Sequence, residues 1–259
     1  MSGAATYHAL TIAGSDSCGG AGIQADIKTM HDFGVCSASV VTAITAQNTA
    51  GVTDVTMMGP EMVERQLSAV LEDIPITAAK TGMLANADII RKVIQGFDAF
   101  PGIKLVVDPV MVATTGARLL DSAAEDVLRN ELLPCAGLVT PNLPEARVLT
   151  GMDENADPLL LADRLLELGC NAVLLKGGHA EGGLVEDWLV MGEQRIRFAN
   201  PRISGNVHGT GCALSAAITA GLARNNSLED SVAAAIEWLH RMLQQTWQPK
   251  TGKLRMLPF

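Results

Sequence analysis

The amino-acid sequence predicts an α/β protein, a three-layer α/β/α sandwich around a mostly parallel central sheet. Three observations predict this class. Short aliphatic runs alternate with helix-length amphipathic segments along all 259 residues, and hydrophobic residues make up 48% of the chain although aromatic residues make up only 3%. Glycine and polar residues directly follow the aliphatic runs. Continuous aliphatic strands joined by helices bury both faces of a parallel sheet. Because no repeat or linker interrupts the series, we expect one domain over residues 1–259.

The first half of the chain supplies five predicted strands. They are the runs HALTIAG, SASVVTAIT, VTDVTMM, ITAAKTGM and KLVVDPV, the last ending at Asp108. Three helices are predicted between them, at about residues 20–33, 60–73 and 86–97. Pro60 suits the first turn of a helix, and Asn86 is a good N-cap.

The second half continues the alternation. We expect a helix over 121–133, a strand that leads into a short helix in GLVTPNLPEARVLTG, a helix over 158–169 and a strand in NAVLLKGG. The run LVEDWLVMGEQRIRF predicts a hairpin that turns at Gly192 and Glu193. Two final helices follow, the first of them introduced by NVHGTGC.

Composition excludes several classes of function. The net charge of −9 argues against nucleic-acid and anionic-membrane partners, which need a basic surface. The first residues lack the pattern of a signal peptide, and no apolar run is long enough for a membrane span. Five scattered cysteines without a C-x-x-C spacing indicate reduced thiols, most of them expected in the core, and the histidines form no zinc motif. We therefore expect a cytoplasmic protein that acts on a small molecule.

The segment HGTGCAL places Gly209, Thr210, Gly211 and Cys212 at the start of a helix. A helix N-terminus offers unpaired N–H groups and a partial positive charge, and glycines let the backbone approach an anion closely. The same field predicts a lowered pKa for the Cys212 thiol. An ordinary helix start with a packing cysteine fits the segment about equally well.

Two further motifs supply carboxylates. Asp108 ends a buried strand, where it could serve a magnesium shell or simply begin an Asp-Pro turn. Asn142 and Glu145 are three residues apart after the next strand, a spacing that suits a phosphate and magnesium site. The same spacing also suits a capping box, in which both side chains only close a helix.

Two other polar residues follow strands. Lys176 ends the run NAVLL, where its charge could meet a nucleotide phosphate or only solvent. Gln47 follows SASVVTAIT, and its amide offers an acceptor beside two donors. That pattern matches an aminopyrimidine edge, although Gln47 could equally bond its own loop.

Taken in order, these motifs resemble the ribokinase-like superfamily, and within it the hydroxymethylpyrimidine/phosphomethylpyrimidine kinases of thiamin biosynthesis. The resemblance covers nearly the whole chain, through ALTIAGSDSCGGAGIQADIKT, TAITAQNT, KTGML, VVDPVM, TPNLPEA, LLKGGH and HGTGCALSAA. It implies a ribokinase-like fold, often dimeric. It also implies that ATP phosphorylates 4-amino-5-hydroxymethyl-2-methylpyrimidine, and then the resulting monophosphate to the diphosphate.

The resemblance also implies roles for individual residues. Gly209, Thr210 and Gly211 would form an anion hole, with Cys212 in the position where many sugar kinases carry an aspartate base. Asp108 and Glu145 would serve Mg²⁺, with Asn142, Lys176 and Asp108 near the nucleotide. The pyrimidine would be surrounded by Gly14, Ala21, Asp26, Gln47, Met83 and Val110. The run ATTGARLL resembles a flap over the substrate, and the chain departs from some members at Thr114 and Val207.

Three alternatives remain open from the sequence. A pyridoxal or pyridoxine kinase, or an enzyme that accepts both rings, would share this architecture and the Gly-Thr-Gly turn. Cys212 in the position of the base disfavours a sugar kinase. A binding protein that has lost catalysis is disfavoured by the complete set of Asp108, Glu145, Lys176 and the glycine turn.

Overall fold

A computed structural model describes residues 6–112, 116, 120–178 and 182–259. Over these residues the chain forms one nine-stranded sheet with the order β3-β2-β1-β4-β5-β6-β7-β8-β9. The strands are β1 (Tyr7–Asp16), β2 (Val35–Asn48), β3 (Gly51–Met57), β4 (Ala78–Thr81), β5 (Lys104–Val107), β6 (Leu138–Val139), β7 (Val173–Leu175), β8 (Leu184–Met191) and β9 (Gln194–Pro201). This confirms the predicted α/β class.

The sheet is parallel in its centre and antiparallel at both edges. Strands β2, β1, β4, β5, β6 and β7 run parallel, whereas β3 pairs antiparallel with β2, and β8 and β9 close the other edge as a hairpin. After β1 the chain moves to β2 and β3, and then returns to β4 on the other side of β1. Ligands of open parallel sheets bind at the carboxyl ends of the strands where the order reverses, here between β1 and β4.

Eight α-helices cover the two faces of the sheet within the described residues. They are α1 (Gly22–Asp32), α2 (Pro60–Asp73), α3 (Ala87–Asp98), α4 (Ser122–Val127), α5 (Leu143–Thr150), α6 (Pro158–Glu167), α7 (Thr210–Ala223) and α8 (Leu228–Leu243). One hydrophobic cluster packs α1, α7 and α8 against the sheet, and a second packs α2 to α6 against the opposite face. The three layers follow from this division.

Local sequence explains most helix boundaries. Pro60 occupies the first turn of α2, and the Asn86 side chain caps α3 by accepting from the Ile89 N–H. The single helix expected over 121–133 is wrong. The chain there changes from the α-helix α4 to a π-helical turn and then to a 3-10 turn over Leu133–Cys135. Pro134 lies in that last turn and cannot donate a hydrogen bond to a continuing α-helix.

All five cysteines are free thiols, as expected. The expectation that most of them are core residues is wrong. Cys170 is buried and Cys18 and Cys212 are half-buried, but Cys36 and Cys135 are exposed. Within the described ranges, no helix has the length and apolar character needed to cross a membrane.

Candidate active site

Polar side chains gather where the parallel strands end. Asp16 is the last residue of β1, Lys80 lies one residue before the end of β4, and Asp108 directly follows β5. Asn142 and Lys176 follow β6 and β7 and pair with each other in an isolated bridge. Since these strands run parallel, all five residues lie at the same end of the sheet, where the carboxyl ends of the strands meet. The side chains that follow separate strands in the sequence therefore form one site.

The first turn of α7 points an uncapped N-terminus into this site. Gly209 precedes the helix in a left-handed conformation with φ of +76° and provides no side-chain cap. A Cβ atom at this position would lie 1.7 Å from the carbonyl oxygen of Gly20, so only glycine fits. The first backbone bond of the helix runs from the Ala213 N–H to the Gly209 carbonyl. The N–H groups of Thr210, Gly211 and Cys212 precede it and are free to bind an anion.

Two helix N-termini meet at Cys212. The close contact between Gly209 and Gly20 brings the start of α1 against the start of α7, and the Gly22 N–H lies near enough to the thiol to act on its pKa. Burial nevertheless raises the pKa of Cys212 to about 11, and the carboxylates of Asp26 and Asp108 add to the rise. Lys80 and the Gly22 N–H act in the opposite direction but do not prevail. The predicted lowering of this pKa is therefore wrong, because desolvation outweighs the field of the helix.

Asp108 and Lys176 form a buried ion pair beside the same turn. The Lys176 ammonium donates to Asp108 Oδ1 at 3.0 Å, and the hydroxyls of Thr140 and Ser215 donate to the two carboxylate oxygens. Burial by itself would raise the pKa of Asp108, but Lys176 and Lys80 hold it below its ordinary value. Asp108 is consequently ionised, and its charge is balanced within the site.

Asn142 and Glu145 form the capping box that was one of the two interpretations of their spacing. The Glu145 N–H donates to the Asn142 side chain, and the Asn142 N–H donates to the Glu145 carboxylate, each at 2.8 Å. Burial raises the pKa of Glu145 to about 7, since the nearby charge of Asp108 opposes the attraction of Lys176. The capping box holds the Glu145 carboxylate, which titrates near neutral pH, beside Lys176. Glu145 could therefore both cap the helix and bind a metal ion.

Three of the residues expected around the substrate are grouped above the end of β1. Gly14 and Met83 touch, since a Cβ on Gly14 would lie 3.2 Å from Met83 Sδ. A Cβ on Gly22 would lie 2.3 Å from the Gly14 carbonyl, which brings Ala21, the residue before α1, to the same place. Val110 follows Asp108, and its N–H donates to the Asp108 carbonyl. The substrate role of these residues remains a prediction, as does the flap, most of which (113–115 and 117–119) lies outside the described residues.

Gln47 lies at the end of β2 and contacts a histidine that the sequence did not single out. Its side-chain amide lies 3.2 Å from the Thr45 hydroxyl and 3.2 Å from His208 Nε2. His208 Nε2 is also 2.9 Å from Asp16 Oδ2. Burial would raise the pKa of Asp16, but the contacts with His208 and the Cys18 N–H hold it low. The ionised carboxylate only accepts, so the proton of His208 is on Nε2.

Asp26 is fully buried, and both of its oxygens are occupied. Lys80 donates to Asp26 Oδ1 at 2.8 Å, and Thr11 donates to Oδ2 at 2.6 Å. The role of Asp26 near a substrate stays a prediction. Sequence reasoning gave no individual role to five polar residues of the site, Asp16, Lys80, Thr140, His208 and Ser215. Lys80 did leave a signal, a charged residue inside the otherwise apolar strand ITAAKTG.

The fold and the site define a class of protein. The fold is a three-layer α/β/α sandwich. At the carboxyl end of its sheet lie an uncapped helix N-terminus, a buried lysine–aspartate pair and a half-buried thiol, which is the arrangement of a ribokinase-like small-molecule kinase. A family model described as phosphomethylpyrimidine kinase matches residues 16–256. The chain belongs to this family and is a phosphotransferase.

Individual relatives agree with this assignment. The hydroxymethylpyrimidine/phosphomethylpyrimidine kinase of Rhizobium meliloti (strain 1021) is 46% identical over 254 residues, which cover 96% of this chain and 95% of that protein. The crystal structure of a phosphomethylpyrimidine kinase from Clostridium difficile 630 superimposes with a TM-score of 0.82 at 39% identity, covering 91% of this chain and 99% of the other. The pyridoxal kinase of Staphylococcus aureus, in complex with AMP-PCP and pyridoxal, gives a TM-score of 0.88 at 31% identity, covering 98% and 93%.

Proposed function

We propose that this protein uses ATP to phosphorylate 4-amino-5-hydroxymethyl-2-methylpyrimidine and then its monophosphate, as a kinase of thiamin biosynthesis. One observation carries the chemistry: the Lys176 ammonium and the Cys212 thiol both lie at the uncapped first turn of α7, at the carboxyl end of the sheet. Phosphoryl transfer depends mainly on positioning and on stabilising charge, and such a site supplies both.

Phosphoryl transfer at this site can be written with every bond and proton accounted for. The substrate alcohol oxygen forms a bond to the γ-phosphorus, the bond from that phosphorus to the β–γ bridging oxygen breaks, and ADP leaves. The N–H groups of Thr210 and Gly211 stabilise the charge on the transferred group. The alcohol proton passes to the deprotonated form of Cys212. Because the pKa of the thiol is about 11, only a small fraction is deprotonated at neutral pH, and the rate should rise with pH.

A pocket next to Lys176 suits the nucleotide. It has a volume of about 410 Å³ and is lined by Leu143, Pro158, Leu175, Gly177, Gly182, Gly183, Leu184, Glu186 and Trp188. Its apolar walls match a purine ring, while Gly177 continues directly from Lys176. A Cβ on Gly177 would lie 2.0 Å from the Glu186 carbonyl, which explains why glycine is needed at the pocket wall. We therefore assign this pocket to the adenosine part of ATP, with Lys176 and Asn142 toward the phosphates.

The acidic residues fit a magnesium ion. Asp108 and Glu145 offer oxygen ligands next to Lys176, and Glu145 is held in place by its capping box. Asp108 already accepts from Lys176, Thr140 and Ser215, which favours contact through water. When bound, Mg²⁺ would neutralise charge on the ATP phosphates.

A pyridoxal kinase is the second candidate function. It is favoured by the TM-score of 0.88 to the S. aureus pyridoxal kinase over 98% of this chain. The higher identity to pyrimidine kinases, 46% against 31%, favours the first candidate. An enzyme with activity on both rings would agree with both comparisons.

A coupled assay of ADP release separates these candidates. The purified protein is given ATP and Mg²⁺ with the pyrimidine alcohol, its monophosphate or pyridoxal, each offered alone. We expect turnover with both pyrimidines, and weaker turnover with pyridoxal. Turnover with pyridoxal only would overturn the proposed substrate, and binding of the pyrimidine without turnover would indicate a protein that has lost catalysis.

We further propose a cytoplasmic homodimer of single-domain subunits that span residues 1–259. Ile44, Met57 and Met62 are each about half exposed on β2, β3 and α2. The register pairs Ile44 with Thr56 and Met57 with Ala43, so Ile44 and Met57 lie on opposite faces of the β2–β3 hairpin. Exposed apolar residues at the edge of a sheet are a candidate interface between subunits. Light scattering should give twice the 27.2 kDa chain mass, and Ile44→Asp should shift it toward a monomer.

A further inference from the structure

A fully buried lysine lies in the centre of the sheet, one residue before the end of β4. Lys80 has no exposed surface, and its ammonium is 2.8 Å from the equally buried carboxylate of Asp26. Desolvating two such charges costs several kcal/mol, and a well-packed apolar pair is often as stable or more stable. Stability alone is therefore a weak reason for this pair.

The sheet register places Lys80 beneath the site. Lys80 pairs with Thr11 on β1 and with Val106 on β5, at the position where the strand order reverses. Thr11 donates to Asp26 on α1, so Lys80 and Asp26 lie on the sheet face that α1 and α7 cover. Asp108 lies two residues beyond Val106, and Ser215 of α7 donates to it. The ammonium thus lies between the sheet and the first turns of these two helices.

Three charged residues act on the pKa of the Cys212 thiol, and their effects differ in sign and strength. Among the groups that act on the pKa of the thiol, Lys80 is the strongest one that lowers it, whereas Asp26 and Asp108 raise it. Burial would lower the pKa of Lys80, but Asp26, Cys212 and Asp108 together raise it, so the lysine is charged. Among the described residues the ammonium donates to Asp26 only. Its charge is therefore held in place by Asp26 and acts on the thiol through space.

We propose that Lys80 is a positioning residue, held by Asp26, whose charge stabilises the anion that forms at Cys212 when the thiol takes part in transfer. The residue does not touch the substrate and acts through Cys212. This assignment rests on the proposed function for the part that Cys212 has in transfer. The effect on the thiol itself does not depend on any substrate.

The test measures how fast iodoacetamide alkylates Cys212 between pH 7 and 10, by mass spectrometry of digested protein. Two variants break the same ion pair, Lys80→Met and Asp26→Asn. In Lys80→Met we expect the rate at pH 8 to fall about tenfold, the change in thiolate fraction that one pKa unit gives. In Asp26→Asn we expect the rate to rise several-fold, because the carboxylate that opposes ionisation is gone while Asp108 and Cys212 still favour the charged form of Lys80. The exposed Cys36 in the same digest is the internal reference.

Opposite changes distinguish an electrostatic role from a structural one. A general loosening of the fold would speed alkylation in both variants, and that result would overturn the proposal, as would unchanged rates in both. If either variant fails to fold, the double variant Asp26→Asn/Lys80→Met removes both buried charges. Since Lys80 acts on Cys212 more strongly than Asp26 does, the double variant should still react more slowly than the natural protein. Equal rates would contradict the proposal.

Steady-state kinetics give a second measurement. Lys80→Met should lower kcat at least tenfold while the KM for ATP changes little, because the Lys80 ammonium donates to Asp26 and not to Lys176, Asn142 or Asp108, the residues proposed to bind the nucleotide. A rise in KM with kcat unchanged would contradict the assignment. If the protein phosphorylated no pyrimidine at all, the proposed function would fail, and the alkylation rates would still decide the role of Lys80.

Discussion

Lys176 lies directly against the backbone of Gly211. A Cβ atom on Gly211 would be 3.3 Å from the Lys176 ammonium nitrogen and 3.8 Å from Asp108 Oδ2. The missing side chain therefore leaves the space in which the ammonium, the helix N–H groups and a transferred phosphoryl group could meet. The φ of Gly211 is not in the left-handed region, so the backbone does not require glycine here. The space that the site needs is the remaining explanation.

Gly211→Ala should lower kcat by at least about tenfold, which corresponds to only 1.4 kcal/mol of lost transition-state stabilisation. The added methyl group would occupy the anion space and move Lys176. Helix stability should not suffer, because alanine is the better helix former. Steady-state kinetics together with a thermal unfolding curve measure both effects. Gly59→Ala is the matched control, since its Cβ would meet only Glu61 Oε2 at 3.7 Å. Equal kcat in the two variants would contradict an anion site at Gly211.

Cys212→Ala should lower kcat by about 10²–10⁴-fold, the usual contribution of a general base, with much less effect on the KM for ATP. Because burial raises the pKa of the thiol to about 11, kcat of the natural protein should also rise with pH between 7 and 9.5. That rise should be absent in the alanine variant. Rates measured over this pH range test both statements, with Cys36→Ser as an exposed control. A near-normal kcat in Cys212→Ala would reduce the residue to a packing role.

The sequence predicted the fold, and it predicted that several polar residues lie at the carboxyl ends of neighbouring strands, because both depend on local patterns. Aliphatic runs between amphipathic segments determine a parallel sheet, and the carboxyl ends of its strands must lie together. Asp108, Lys176 and Gly211 could be grouped for that reason alone. Lys176 donates to Asp108 and lies next to Gly211, while the catalytic and binding roles of these residues stay predictions.

The electrostatics of the site could not be predicted in the same way. The helix start at Thr210 indicated a lowered pKa for Cys212, but the pKa depends on burial and on three charges from other elements. Lys80 comes from β4 and Asp26 from α1, and nothing in their spacing along the chain shows that they touch. His208 was missed for a similar reason, since its partners Asp16 and Gln47 are 192 and 161 residues away.

Glu145→Gln separates the charge of this residue from its capping role. Glutamine can still accept the Asn142 N–H, so the capping box should remain. The pKa of Glu145 is raised from 4.5 to about 7, so the folded protein binds an extra proton between these values and loses stability as the pH rises through them. The variant should therefore be more stable than the natural protein by about 1–3 kcal/mol at pH 8 and gain nothing at pH 4.

Denaturant unfolding at several pH values measures the stability difference of Glu145→Gln. The same variant should need more Mg²⁺ for half-maximal activity, because it lacks one carboxylate. A stability difference that does not change between pH 4 and 8 would show that Glu145 titrates normally. An unchanged requirement for Mg²⁺ would remove Glu145 from the proposed metal site.

The hydrogen-bond partners of the Gln47 amide bear on substrate choice. Thr45 donates its only hydroxyl proton to the Ser15 carbonyl at 2.9 Å, and His208 donates from Nε2 toward Asp16. Gln47 Oε1 lies 3.2 Å from the Thr45 hydroxyl, and Gln47 Nε2 lies 3.2 Å from His208 Nε2. Turning the amide by about 180° would direct its NH₂ group to the Thr45 oxygen and its carbonyl oxygen to His208 Nε2, which suits the protons already committed by these two residues. One N–H and one lone pair of the amide remain for a ligand. That pair complements the exocyclic amine and the ring nitrogen of an aminopyrimidine.

Gln47→Leu should weaken binding of the pyrimidine alcohol by about 1–3 kcal/mol, the cost of leaving buried polar groups of the ligand unpaired. Pyridoxal has no exocyclic ring amine, so its affinity should fall less. Calorimetric titration of both ligands into both proteins gives the comparison, and a thermal unfolding curve excludes a general loss of structure. Asn48→Ala is a suitable control, because the exposed Asn48 side chain bonds only the backbone of its own turn among the described residues. Equal losses for the two ligands would show that Gln47 supports the site without selecting the pyrimidine, and unchanged pyrimidine binding would remove it from the site.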